Sequence, residues 1–143
     1  MRIEKLKKED FPFDHISRGS PVIRFCRSGA IILSHSAAVH LGLIIKELSP
    51  KAFGGITICH DKDDCCEFFI MRDDDGWVLR YISHGQLIFN NACLSRYIIG
   101  KTFEKCAHAA GVDMPKSYSF LIAPRPVDDD KNKYVFALLR KKV

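Results

Sequence analysis

The sequence predicts a mostly β fold with short helices, of the α+β class, in which two tandem β–β–helix–β–β units fold as one domain. Three observations lead there. Val22-Ile23-Arg24-Phe25-Cys26-Arg27-Ser28-Gly29-Ala30-Ile31-Ile32-Leu33-Ser34 recurs 56 residues later, from 22 to 78, as Val78-Leu79-Arg80-Tyr81-Ile82-Ser83-His84-Gly85-Gln86-Leu87-Ile88-Phe89-Asn90. The two stretches align without a gap; Val, Arg, Gly and Ile are identical, and Ile23/Leu79, Phe25/Tyr81, Ile31/Leu87, Leu33/Phe89 and Ser34/Asn90 are close in chemistry. In each half a helix-start signal then precedes an apolar strand, an acidic turn and a second apolar strand. The units are placed at about 21–74 and 75–143 of a single domain, 21–143, with residues 1–20 as an N-terminal arm.

Each element has a local reason. The stretch from Pro21 to Arg27 is β-branched and aromatic, which suits a half-buried strand. Gly29 and Gly85 stand where the chain must reverse, because glycine accepts positive φ without a Cβ clash. The return strands, Ala30–Leu33 and Gln86–Phe89, are apolar runs expected to be buried on both faces. Ser34 is expected to cap a helix over His35–Leu41 that stops at Gly42. Asn90 is expected to cap a second helix over Asn91–Ile99 that stops at Gly100, with a further helix capped by Thr102 over Phe103–Ala110.

The second part of each unit reads as a hairpin. Ile56–Cys59 and Glu67–Arg72 flank the turn Asp61-Lys62-Asp63-Asp64, and Tyr118–Ile122 and Lys133–Arg140 flank Asp128-Asp129-Asp130-Lys131-Asn132. Asp73-Asp74-Asp75-Gly76 is a tight-turn signal that should pair the last strand of the first unit with the first strand of the second. Trp77, Phe68, Phe69, Tyr81, Tyr134 and Phe136 lie on strand-like stretches and are expected in the core.

A chain of 143 residues buries enough surface to need no metal or disulfide staple. No apolar run approaches the ~20 residues of a membrane span. The charged N-terminal stretch lacks the apolar segment of a secretory signal, so the expected location is the cytoplasm, with no membrane partner. The six cysteines form no C-x-x-C pair and read as reduced thiols. A net charge of +5 is compatible with nucleic acid, although the basic residues are dispersed outside Lys5-Leu6-Lys7-Lys8 and Arg140-Lys141-Lys142.

The residues offer no catalytic or metal-binding constellation. Cys59-His60-Asp61-Lys62-Asp63-Asp64-Cys65-Cys66 is dense in ligand types, but alternate strand residues face apart and the spacing fits no zinc or calcium site. Ser34 with His35, Ser83 with His84 and Cys106 with His108 fail as nucleophile–base pairs for similar reasons. Gly54-Gly55 lacks the helix and lysine of a phosphate loop. The expectation is no enzyme, no metal and no cofactor.

Gly29-Ala30-Ile31-Ile32-Leu33-Ser34-His35-Ser36-Ala37-Ala38-Val39-His40-Leu41-Gly42-Leu43 resembles the AbrB/SpoVT-type module: a glycine, a basic residue, three apolar residues, a proline, a short helix and a closing Leu-Gly-Ile/Leu. The glycine, the apolar run and Leu41-Gly42-Leu43 match, and the tandem arrangement is similar to the MraZ-like branch. The resemblance implies a pseudo-twofold swapped-hairpin β-barrel and a non-enzymatic, DNA-binding, transcription-regulator-like role. This chain departs from the pattern at Ala30 and Gln86, which replace the basic residue, at Ala38 and Val39, which replace the helix arginines, and at Ser34, which replaces the proline. What remains basic near the reversals is Arg24, Arg27, Arg80 and His84, the nucleic-acid contacts that the resemblance implies. The same departures motivate the alternative of a protein-interaction module without nucleic-acid binding. The expected partner is thus double-stranded DNA or another protein, bound by a monomer or a homodimer.

Overall fold

The computed structural model describes residues 2–5, 19–43, 55–64, 67–82, 85–106, 115–127 and 134–140. Most of the expected N-terminal arm and the turn around Asp128–Asn132 lie outside these residues. In chain order the elements are β1 (Val22–Cys26), β2 (Ala30–Leu33), α1 (His35–His40), β3 (Gly55–His60), β4 (Phe68–Arg72), β5 (Trp77–Val78), β6 (Arg80–Tyr81), β7 (Leu87–Asn90), α2 (Ala92–Cys106), β8 (Ser117–Ile122) and β9 (Val135–Arg140).

Strand alternation sends one side chain in two to the interior. Ile23, Phe25, Ile31, Leu33, Ile56, Ile70, Leu87, Phe89, Phe120 and Ile122 meet there as one buried core, joined by Ala37 and Ala38 of α1 and by Ile98 and Ile99 of α2. Phe25 and Phe120 touch edge to face, with ring centroids 5.6 Å apart. The strands run in the order β5-β3-β4-β9-β8-β1-β2-β7-β6, and every pairing is antiparallel. Only Leu79 separates β5 from β6. One stretch of chain therefore pairs with β3 on one side and with β7 on the other, which nearly closes the sheet into a barrel. The β1–β2 hairpin lies between β8 and β7, both from the second half of the chain.

The first hairpin and helix form as the local chemistry predicts. Gly29 and Gly85 both adopt positive φ at their reversals. The Ser34 hydroxyl accepts from the Ala37 N–H at 3.2 Å, as an N-cap should, and also from the Val22 N–H at 3.0 Å, tying the helix start to β1. At the other end the Leu43 N–H reaches the Ala38 carbonyl at 2.8 Å and the Gly42 N–H reaches the Val39 carbonyl at 3.0 Å. With Gly42 at φ +72°, that is a Schellman stop.

Three expectations are corrected. The second helix is capped by Asn91, whose Oδ1 accepts from the Leu94 N–H at 3.0 Å, while Asn90 is the last residue of β7. That helix does not stop at Gly100 or restart at Thr102 but runs unbroken over Ala92–Cys106. Ser95, Ile98, Ile99 and Thr102 form one buried stripe at helical spacing across Gly100, and packing that stripe outweighs the ~1 kcal/mol a mid-helix glycine costs. The turn at Asp73–Gly76 is present, with the Gly76 N–H on the Asp73 carbonyl at 2.9 Å, but it does not pair β4 with β5. β4 is flanked by β3 and β9, and β5 lands on the far side of β3, through Gly55↔Val78 and Ile56↔Trp77.

That crossing is held by short polar contacts. The Thr57 hydroxyl donates to Asp73 Oδ2 at 2.7 Å, and Asp73 Oδ1 accepts from the Asp75 N–H at 2.9 Å. These bonds, the hydroxyl's first, hold the Asp73 carboxyl below the usual carboxylate range. Of the aromatic residues expected inside, Phe68 is buried, and Trp77 and Phe136 pack against the core. Tyr81 and Tyr134 are 40% and 66% exposed and do not belong to it.

Candidate nucleic-acid interface

The barrel wall is apolar inside and carries its cations outside. On β1, Ile23 and Phe25 are buried and Arg24 is exposed. On β6, Arg80 is exposed beside buried Leu79. Residues directly opposite each other on neighbouring strands share a face. Arg24 pairs with Ile32, Ile32 with Ile88, and Ile88 with Arg80, so the two arginines end one row on the outer face. Three strand spacings separate them, about 14 Å before curvature. Ser119 extends the row beyond Arg24.

Arg27 follows β1 in the turn, exposed, with its backbone N–H on the Lys116 carbonyl at 2.7 Å. This bond draws in two cations that sequence reasoning missed. Lys116 immediately precedes β8, and Arg96, on the second turn of α2, donates from Nε to the Arg27 carbonyl at 3.1 Å. Next to it the Ser95 hydroxyl donates to the Cys26 carbonyl at 2.6 Å, locking α2 against the end of β1. Close packing of Ala92 over Gly29 sets the helix start on the hairpin turn, since a Cβ at residue 29 would lie 3.1 Å from the Ala92 Cα.

Arg24, Cys26, Arg27, Ser28, Arg96, Lys116 and Ser117 line an open cavity of about 730 Å³. Four of these residues are cationic, and among the described lining residues there is no carboxylate. The only sequence signal for Arg96 and Lys116 was their charge, since nothing local ties residue 96 or 116 to residue 27. Of the four residues expected to contact nucleic acid, Arg24 and Arg27 thus meet in one site, and Arg80 shares the outer face without reaching the cavity. His84 lies outside the described residues, as does Ser83.

A second groove, of about 500 Å³, is lined by His40, Leu41, Met71, Arg72 and Phe136 among others. There the His40 ring lies 4.6 Å from that of Phe136, and its Nε2 donates to the Ala123 carbonyl at 3.1 Å. The Cys59 thiol is pushed up, first by burial and then by the charge of Asp73, so it is a poorer nucleophile than a free cysteine. No helix of the described residues is long and apolar enough to cross a membrane. Compared with protein-family profiles, curated proteins and solved structures, the chain matches none.

Proposed function

We propose that the chain is a non-enzymatic DNA-binding module of the swapped-hairpin type, a transcription-regulator-like barrel built from two copies of one unit. The observation that carries this reading is the strand register. Every strand-to-strand pairing among the described residues has a partner in the same register when the halves are exchanged, with 22 going to 78 in the first hairpin and 56 going to 122 in the second. Arg24↔Ile32 becomes Arg80↔Ile88, Val22↔Leu121 becomes Val78↔Gly55, and Ile56↔Arg72 becomes Ile122↔Leu138. The pairs Ile32↔Ile88 and Ile70↔Phe136 map onto themselves and mark where a local twofold would pass.

On that arrangement Arg24 and Arg80 flank the β2–β7 ribbon symmetrically. The strand path between them, about 14 Å before curvature, is comparable with the ~12 Å width of the B-DNA major groove, and each is proposed to reach a phosphate on an opposite edge. The net charge of +5 favours the encounter. Arg24→Ala is expected to weaken duplex binding about tenfold and Arg80→Ala a few-fold, each lowering the slope of log K against log salt by about 1. Both are outer-face residues, so circular dichroism and melting temperature should stay close to wild type. Fluorescence anisotropy with a labelled duplex checks this, and unchanged affinity in both variants contradicts it.

The alternative, a protein-interaction module, is favoured by one feature: Val78, Tyr81 and Ile82 are 61%, 40% and 38% exposed on the closing strand and just beyond it. Substituting Val78 and Ile82 with Ser separates the readings, since phosphate contacts do not involve them.

A further inference from the structure

We propose that the cavity bounded by Arg24, Arg27, Arg96 and Lys116 is a phosphate-binding site, and that it makes the interface one-sided; the nucleic-acid backbone as the source of that phosphate rests on the DNA-binding reading. Three elements build the site: the end of β1 with its turn, the second turn of α2, and the residue before β8. Backbone and side-chain bonds between them fix its shape, namely the Arg27 N–H on the Lys116 carbonyl, Arg96 Nε on the Arg27 carbonyl, and the Ser95 hydroxyl on the Cys26 carbonyl. Three arginines and one lysine are among the residues lining one open cavity of about 730 Å³. Guanidinium forks and an ammonium point charge are the groups that bind phosphate oxygens by charge-assisted hydrogen bonds. The Ser28 and Ser117 hydroxyls add neutral donors on the rim.

By sequence alignment the other half repeats the cations only in part. Arg80 keeps the charge of Arg24, Ile82 stands for Cys26, Ser83 for Arg27, His84 for Ser28, Pro50 for Lys116 and Lys51 for Ser117, and His40 falls where Arg96 does; residues 50, 51, 83 and 84 lie outside the described residues. The His40 imidazole is engaged with the Ala123 carbonyl and the Phe136 ring. The two halves share strand register and differ in cations, so a phosphate chain crossing the barrel is held strongly at the α2 side and weakly at the other.

The test uses the full chain, a short labelled duplex and inorganic pyrophosphate. Arg96→Ala and Lys116→Ala are each expected to weaken duplex binding about tenfold, more than Arg80→Ala does, and to flatten the salt slope by about 1. Lys62→Ala, on the β3–β4 turn, controls for loss of charge alone and should change little. Pyrophosphate should compete with the duplex and shift the Arg96 Nε–H resonance, and Lys116→Ala should weaken both effects. Arg96 also bonds the turn, so Lys116→Ala, which leaves its own carbonyl in place, keeps the test open if Arg96→Ala unfolds. Duplex binding that survives both substitutions with its salt slope intact overturns the proposal and leaves the DNA-binding reading standing. Pyrophosphate binding without duplex binding supports the phosphate site and overturns the DNA-binding reading. Binding of neither overturns both.

Discussion

Phe25→Ala is expected to lower the free energy of unfolding by about 3–5 kcal/mol, measured by urea denaturation with an unchanged m-value. Phe25 is fully buried, and its ring meets Phe120 edge to face at 5.6 Å. Truncation removes the burial of an aromatic ring and leaves a cavity that a close-packed barrel interior fills only in part. Phe25 lies in the first half of the chain and Phe120 in the second, and β1 pairs with β8 along its whole length. The loss should therefore appear in one cooperative transition, with no half surviving alone. Tyr81, which aligns with Phe25 in the sequence repeat, is 40% exposed, and Tyr81→Ala should cost far less, about 1 kcal/mol. Equal losses at the two positions would contradict the burial seen here.

Gly76→Ala is the second large effect. A Cβ at residue 76 would overlap the Ile56 carbonyl oxygen and lie 2.7 Å from its carbon and 2.8 Å from Thr57 Oγ1. The obstacle is backbone, so no rotamer change relieves it, and β5 must lift from β3. The Ile56↔Trp77 pairing and the Gly76–Asp73 turn bond would go with it. A loss of about 3 kcal/mol, the upper part of the range for overpacking, is expected in denaturant titration. Gly42→Ala separates the two ways a glycine can matter. It sits at φ +72°, where an added Cβ would meet Arg72 Nη1 at 3.5 Å, an ordinary van der Waals contact, and should cost only the 1–2 kcal/mol of a left-handed alanine.

The sequence was most informative where structure is local. Gly29, Gly85, Ser34 and Gly42 each act through their own backbone, and each stands in the expected conformation or bond. The hairpins β3–β4 and β8–β9 followed from apolar runs around acidic turns. Failures came where a distant partner decides. Gly100 looked like a helix stop, but the buried stripe from Ser95 to Thr102 carries α2 through it. Asp73–Gly76 looked like a hairpin turn, and it is a tight turn, but β9 holds the edge of β4 that β5 would need. The candidate site follows the same rule. Arg24 and Arg27 were legible from the repeat, whereas Arg96 and Lys116 reach them only through bonds across some 70 to 90 residues of chain.

The most direct test is a salt titration of duplex binding by the wild-type chain. The outer face offers Arg24, Arg27, Arg80, Arg96 and Lys116. If each neutralises one phosphate, log K should fall with log salt at a slope of about −4.5, from measurable binding at low ionic strength to little at high. A slope near zero, or no binding at the lowest salt the folded protein tolerates, would contradict the account.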